Sequence, residues 1–199
     1  SLLPLGRLRE NPRQIDRAEM VVVTKCPSDL SPLQFRLMSK KLDLMPYQSL
    51  FFSTFNYGLP EPVFPDDNPY HVSLSSLTER DTVLLVTGIA NPRGFVRHFN
   101  RYPFRVVVSH FPDHHDFERE DLSQMLDRFQ KMTGERKLIL TTEKDAVRLA
   151  YNPYFPSGLK PFCFYVPVSV RMMQGLGDDD FIEKLKKNAG VCLESAPAA

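Results

Sequence analysis

Thr82-Val83-Leu84-Leu85-Val86-Thr87-Gly88-Ile89-Ala90-Asn91-Pro92 reads as a buried strand, a turn and the capped start of a helix. The same rhythm continues downstream. Phe95, Val96 and Phe99 mark the first helix, Arg105 to Ser109 a second strand, and His110 to Asp116 the loop after it. Leu122, Met125, Leu126, Phe129 and Met132 step by three and four, with Gly134 placed to stop that helix. Lys137 to Leu140 is a third strand, and Thr142-Glu143-Lys144-Asp145 matches a capping box. Phe162 to Val170 is expected as a fourth strand and Asp178 to Lys187 as a terminal amphipathic helix. Alternation of this kind predicts an α/β fold, with a small mainly parallel sheet and flanking helices.

Upstream the pattern is less regular. Asn11-Pro12 opens a short helix reaching about Ala18, and Met20 to Thr24 reads as a strand buried on both faces. Ser31-Pro32 starts a helix with Leu33, Leu37 and Leu42 at helical spacing, and Leu50 to Tyr57 is an aromatic-rich strand. Prolines then crowd the segment from Gly58 to Pro69, which cannot hold regular structure for long. The expected organisation is a first lobe over 1–57, a proline-rich linker or ribbon over 58–80, an α/β lobe over 81–190 and a tail over 191–199.

Composition bounds the function. The 199 residues carry a net charge of +1, so no basic surface announces nucleic acid. No run of 18 apolar residues exists to span a bilayer, and the opening Ser1 to Gly6 has no secretory h-region. Cys26, Cys163 and Cys192 are widely spaced and form no CxxC pair, which fits a reducing compartment and inert thiols. With no tryptophan and 15 phenylalanines, the core is expected to rest on Phe and aliphatic side chains.

The chemistry concentrates in Phe111-Pro112-Asp113-His114-His115-Asp116-Phe117. Adjacent imidazoles flanked by carboxylates suit proton transfer, metal binding or phosphate contact. The alternative is a helix N-terminus in which Asp113 or Asp116 caps and the histidines are merely solvated. Ligands of open parallel sheets bind outside the carboxyl ends of the strands. Three polar loops fall there: Thr87 to Pro92, His110 to Asp116 and Thr141 to Asp145. If their strands are neighbours, the loops share one rim, which favours a site. Each loop keeps a simpler reading: Gly88 permits a tight turn, Asn91-Pro92 caps, and Thr142 to Asp145 caps with Lys144 solvated. His71 and His98 stand alone and are expected at the surface, and Pro112 argues against a helical metal pair of His110 and His114. The sequence contains no GxxxxGK[ST], GxSxG or HExxH.

Taken together these segments resemble the tetraacyldisaccharide 4'-kinases, which phosphorylate the lipid A disaccharide in Gram-negative bacteria. Leu2-Leu3-Pro4-Leu5-Gly6-Arg7-Leu8-Arg9-Glu10 is similar to that family's LLPAGPLRE segment, with Leu5 and Arg7 as departures. Arg17-Ala18-Glu19 with Val21-Val22-Val23 is similar to its RADxVVV strand. Gly88 to Pro92, Phe111 to His115 and Thr141 to Val147 match its GIxxP, FxDH and TTEKDAVK motifs in order, whereas Ser28 to Pro69 matches weakly.

The resemblance implies the C-terminal half of a kinase. The family's P-loop, catalytic aspartate and DDGFQ segment precede LLPAGPLRE, so residues 1–57 would be the remnant of a kinase core whose P-loop lobe is missing. It implies ATP and Mg²⁺ bound mainly by that missing half, and a glycolipid substrate, the lipid A disaccharide 1-phosphate. It further implies peripheral contact with the cytoplasmic face of the inner membrane, and no activity in this chain alone. His114 is the implied catalytic histidine, paired with the aspartate base. Arg9, Glu10, Asp113, His115 and Lys144 are implied substrate contacts, with no metal ligand in this chain.

Two rivals compete. Asp113-His114-His115 also suggests a metal-dependent phosphoesterase of the DHH type, but the further aspartate motifs that would hold two metals are missing, since Asp66-Asp67 sits in the proline-rich segment. The second rival is a folded, non-catalytic lobe that binds sugar phosphate.

Overall fold

The structure, a computed structural model, describes residues 10–68, 72–173 and 178–189. In chain order the strands and helices are β1 (Met20–Cys26), α1 (Pro32–Leu42), β2 (Ser49–Tyr57), β3 (Glu61–Pro62), β4 (Thr82–Thr87), α2 (Arg93–Phe99), β5 (Arg105–His110), α3 (Arg119–Lys131), β6 (Lys137–Thr142), α4 (Glu143–Ala150), β7 (Cys163–Val166), β8 (Val168–Met172) and α5 (Asp178–Asn188). Short 3₁₀ turns cover Pro12–Arg17, Leu74–Ser76 and Ser157–Phe162.

The chain groups into two units, one of residues 57–169 and one of residues 1–56 with 170–199. The described residues from Val170 onward, expected to close the lobe over 81–190, therefore return to the unit of the first strand. The physical reason lies at Pro167, where the single strand expected over Phe162 to Val170 divides. A proline has no N–H to continue a ladder. β7 joins one sheet and β8 the other.

The unit of residues 57–169 is a five-stranded sheet in the order β3-β7-β6-β4-β5. β5, β4, β6 and β7 are mutually parallel, and the short β3 runs antiparallel at one edge. Every residue of β4 is buried, as its continuous apolar run requires of a central strand. Alternate β4 side chains feed two cores. Leu84 and Val86 meet Leu122, Met125 and Phe129 of α3 and Ala146 and Leu149 of α4. Val83 and Leu85 meet Phe95 and Phe99 of α2 with Phe104, Leu74 and Leu77. Burying each such aliphatic side chain contributes about 2 kcal/mol, so both faces of the sheet are anchored.

The proline-rich segment is more than a linker. Glu61 and Pro62 pair with Tyr165 and Phe164, Val63 is buried, and Asn68 donates to the Pro161 carbonyl at 2.6 Å. His98, expected at the surface, lies half-buried among rings, 4.4 Å from Tyr57 and 5.7 Å from Tyr102. His71 and Cys192 lie outside the described residues.

The other unit is a three-stranded sheet in the order β1-β2-β8, with β1 and β2 parallel. Phe52 of β2 packs edge-on against Phe35 of α1 at 5.0 Å, and its neighbour Phe51 against Phe181 of α5 at 5.1 Å. Successive strand residues point to opposite faces, so the two helices cover opposite sides. β1 is only half-buried rather than enclosed on both faces. In α1 the partly buried stripe runs through Phe35, Met38 and Leu42, while Leu33 and Leu37 are 65% and 58% exposed. The helix starts at Ser31-Pro32 as expected, and a reciprocal capping box between Ser31 and Gln34 closes its first turn.

Candidate active site

The three polar loops do share one rim. β4 is flanked by β5 and β6 in parallel, with Thr87 opposite His110 and Val86 opposite Thr141. The Phe111 amide donates to the Thr87 carbonyl at 2.8 Å, and the Thr141 hydroxyl to the Val86 carbonyl at 2.8 Å. These bonds carry the strand register into the loops. His110 belongs to β5, and its Nδ1 lies 3.3 Å from the Thr87 hydroxyl.

The helix-cap reading of the histidine loop does not hold. α3 begins at Arg119, and Asp121, not Asp113 or Asp116, accepts from the Glu118 amide at 2.9 Å. The same Asp121 oxygen lies 2.7 Å from His115 Nε2. His115 also stacks on Phe111, with ring centroids 5.1 Å apart. Its side chain thus fastens the loop to the first turn of α3.

His114 is arranged differently. Its backbone adopts φ +60°, a left-handed conformation that non-glycine residues seldom hold, and its side chain is 72% exposed. The Asp113 side chain accepts from the amide of the next residue, His114, at 3.1 Å. Such strain persists where the surroundings over-determine it. Here Phe117, buried in the core, and the His115–Asp121 pair hold the loop from its far side.

α4 supplies the facing wall. Thr142 caps it by accepting from the Asp145 amide at 3.2 Å, so the helix starts at the rim. Lys144 Nζ donates to Asp113 Oδ1 at 3.0 Å and lies 3.3 Å from His114 Nε2. One turn further on, Arg148 Nη2 lies 3.3 Å from His114 Nδ1, and Nη1 donates to the His115 carbonyl at 3.3 Å. The hydrogen bond from Lys144 holds the Asp113 carboxyl below the usual carboxylate range. The imidazole therefore sits between two cations and one carboxylate.

Asp113, His114 and Lys144 are thus brought together, whereas His115 turns to Asp121. Glu10 lies in the other unit and pairs with Arg17 at 3.1 Å, and Arg9 lies outside the described residues. Arg148 and Asp145 were not singled out from sequence. The signal for Arg148 was available, because Lys144 and Arg148 are four apart on one helix and must share a face.

Among the described residues no group of three or more His, Cys, Asp or Glu side chains could hold a metal ion. Asp67 of the proline-rich segment pairs with Lys160 at 3.3 Å. No described helix is long and apolar enough to cross a membrane.

The family model described as LpxK, tetraacyldisaccharide-1-P 4'-kinase, matches residues 1–189. A curated tetraacyldisaccharide 4'-kinase from Bacteroides thetaiotaomicron is 44% identical over 184 residues, covering 89% of this chain and 48% of that protein. One from Phocaeicola vulgatus is 38% identical over 192 residues, covering 95% and 52%. A crystal structure of LpxK from Aquifex aeolicus, described as an apo form in complex with ATP, matches the fold with a TM-score of 0.50 at 20% identity, covering 95% of this chain and 47% of that one. The chain spans about half the length of the curated relatives it matches.

Proposed function

The chain belongs to the tetraacyldisaccharide-1-P 4'-kinase family, and from that premise we propose that the full-length protein transfers the γ-phosphate of ATP to the 4'-hydroxyl of a lipid A disaccharide 1-phosphate. The observation that carries this reading is the placement of His114. It is exposed at the carboxyl rim of a parallel sheet, in a strained backbone conformation, between Lys144 and Arg148.

Phosphoryl transfer needs positioning and charge stabilisation more than covalent participation by the protein. Lys144 and Arg148 put positive charge where a phosphate or a carboxylate would sit beside His114. Asp113 holds Lys144 in place and keeps the local charge from being wholly cationic. His114 would hydrogen-bond the carboxylate base that takes the proton of the sugar hydroxyl, a base supplied by the part of the protein outside this chain. ATP and Mg²⁺ would be bound there too, as the family resemblance implies. The substrate being a glycolipid, the full-length protein would work peripherally at the cytoplasmic face of the membrane. Glu10, Arg9 and His115 are further candidates for substrate contacts.

The test is a phosphotransfer assay on the full-length enzyme with Mg²⁺, ATP and the disaccharide 1-phosphate. Phosphate should appear on the 4'-hydroxyl, and His114→Ala should slow turnover by about a hundredfold or more with little change in ATP affinity. No transfer to the glycolipid, or unchanged turnover in His114→Ala, would overturn the reading. The 199-residue chain alone should not transfer phosphate from ATP, because its sequence contains no phosphate-cradling P-loop.

A further inference from the structure

Asp145 is fully buried at the N-terminus of α4. Its Oδ2 accepts from the Gly88 amide at 2.8 Å and from the Thr142 hydroxyl at 2.7 Å. Its Oδ1 is buried without a hydrogen-bond partner and lies 3.8 Å from Arg148 Nη1. Arg148 in turn reaches the His115 carbonyl and His114 Nδ1, both at 3.3 Å. Capping alone explains Oδ2 but leaves Oδ1 unexplained. A buried carboxylate oxygen facing a guanidinium is an electrostatic tether, and this one aims Arg148 at the histidine loop.

The tether matters because His114 cannot satisfy both of its neighbours. A neutral imidazole has one N–H and one lone pair, whereas Lys144 and Arg148 can only donate. If Lys144 donated to Nε2, the proton would sit on Nδ1, pointing at Arg148, with no acceptor. If Arg148 donates to Nδ1, the proton sits on Nε2, where Asp113 Oδ2 lies 3.7 Å away, and Lys144 keeps its 3.0 Å bond to Asp113 Oδ1. The second pattern aims the ring proton toward a carboxylate, at ion-pair rather than hydrogen-bond distance, whereas the first aims it at a guanidinium with no acceptor near. Which nitrogen of a histidine carries the proton is set by the bond that the other one makes.

We infer that Asp145 is a positioning residue that acts through Arg148 to hold His114 as its Nε2–H tautomer. The tautomer itself does not depend on the kinase reading. Its consequence does: an Nε2–H that faces away from Arg148 and lies beyond hydrogen-bond reach of Asp113 can donate to a carboxylate base that enters beside Lys144, so the relay from Gly88 through Asp145 and Arg148 would orient that base from inside the sheet.

The experiment is long-range ¹H–¹⁵N NMR on full-length enzyme labelled at histidine, at about pH 8, where an ordinary imidazole is neutral. Wild-type His114 should show a protonated Nε2 and an unprotonated Nδ1. Arg148→Met removes the donor to Nδ1 and leaves Lys144 unopposed, so His114 should switch toward the Nδ1–H form. Asp145→Asn should move it the same way to a smaller extent, and Lys144→Met should leave Nε2–H in place. Arg148 is partly exposed, so its variant tests the inference even if the Asp145 variant fails to fold. An Nδ1–H wild type, or an Arg148→Met protein that retains Nε2–H, overturns it. These outcomes are read without substrate, so they stay separate from success or failure of the phosphotransfer assay.

Discussion

Lys144 Nζ sits 3.0 Å from Asp113 Oδ1, and this pair joins the first turn of α4 to the loop after β5. Both side chains are exposed by more than a third, so solvent screens the bond and its contribution to folding is small. Its value lies in holding a cation beside His114. In the full-length enzyme, Lys144→Met should leave the thermal midpoint nearly unchanged while turnover falls by about a hundredfold, the scale for losing one charge-stabilising donor. Parallel melting and steady-state kinetics check this. A variant that melts early and turns over normally would assign the pair to structure instead.

His114 bears a conformational cost shared, among the described non-glycine residues, by Lys25 and Asp43. At φ +60° a side chain with a Cβ is strained, whereas glycine is at ease. His114→Gly should therefore stabilise the fold by about 1 kcal/mol while slowing phosphotransfer as much as His114→Ala does. Denaturant titration beside the activity assay checks both halves. Equal loss of stability and activity would mean that the imidazole is needed to hold the loop.

Much of this was legible in the sequence, and the exceptions have physical causes. The βα rhythm from Asp81 onward depends on local periodicity, and the strand-end rule then puts the three loops on one rim provided that their strands are neighbours, a long-range pairing that β4 makes with β5 and β6. The bonds inside that rim are another matter. Gly88 and Asp145 are 57 residues apart, and nothing in either local pattern announces the 2.8 Å bond between them. In α1, Leu33 with Leu37 and Phe35 with Met38 and Leu42 offer competing apolar stripes. The aromatic contact between Phe35 and Phe52 selects the second. His98 looked solitary because its ring partners Tyr57 and Tyr102 arrive from separate parts of the chain. Arg148 could have been read from the spacing to Lys144, but its orientation needed the buried carboxylate beside it.

At the opposite end of β4 from the site, Asp81 is almost fully buried and accepts from Arg136 through the backbone amide, Nε and Nη2, and from the Thr78 amide. The Arg136 hydrogen bond holds its carboxyl far below the usual range. A depressed folded-state value means that the stabilisation is fully present above the unfolded value, near about 3.9, and drains away as pH falls toward the folded one. Asp81→Asn should cost about 2 kcal/mol near neutrality. The gap between variant and wild type should narrow as the pH drops below about 4. Chemical denaturation at a series of pH values measures that gap, and a constant difference across the range would contradict the assignment.

Gly88 tests the rim more sharply than a change to any polar side chain. A Cβ built there would meet Asp145 Oδ1 at 3.0 Å, and Asp145 cannot simply swing away. Its other oxygen is held by the Gly88 amide and the Thr142 hydroxyl, and the residue is sealed from solvent. Gly88→Ala should therefore push the carboxylate toward Arg148 or lever the loop outward, at a cost of about 1–3 kcal/mol. Turnover should fall with it, because the displaced group is the one that aims Arg148. Gly158 is the matched control, since a Cβ there meets nothing within 4 Å. Gly158→Ala should be neutral or stabilising by about half a kcal/mol, through the lost freedom of the unfolded chain. Thermal melts and phosphotransfer rates of both alanine variants of the full-length enzyme separate the two cases. If Gly88→Ala behaved like Gly158→Ala, the close approach of the Gly88 backbone to Asp145 would not be what holds the rim together.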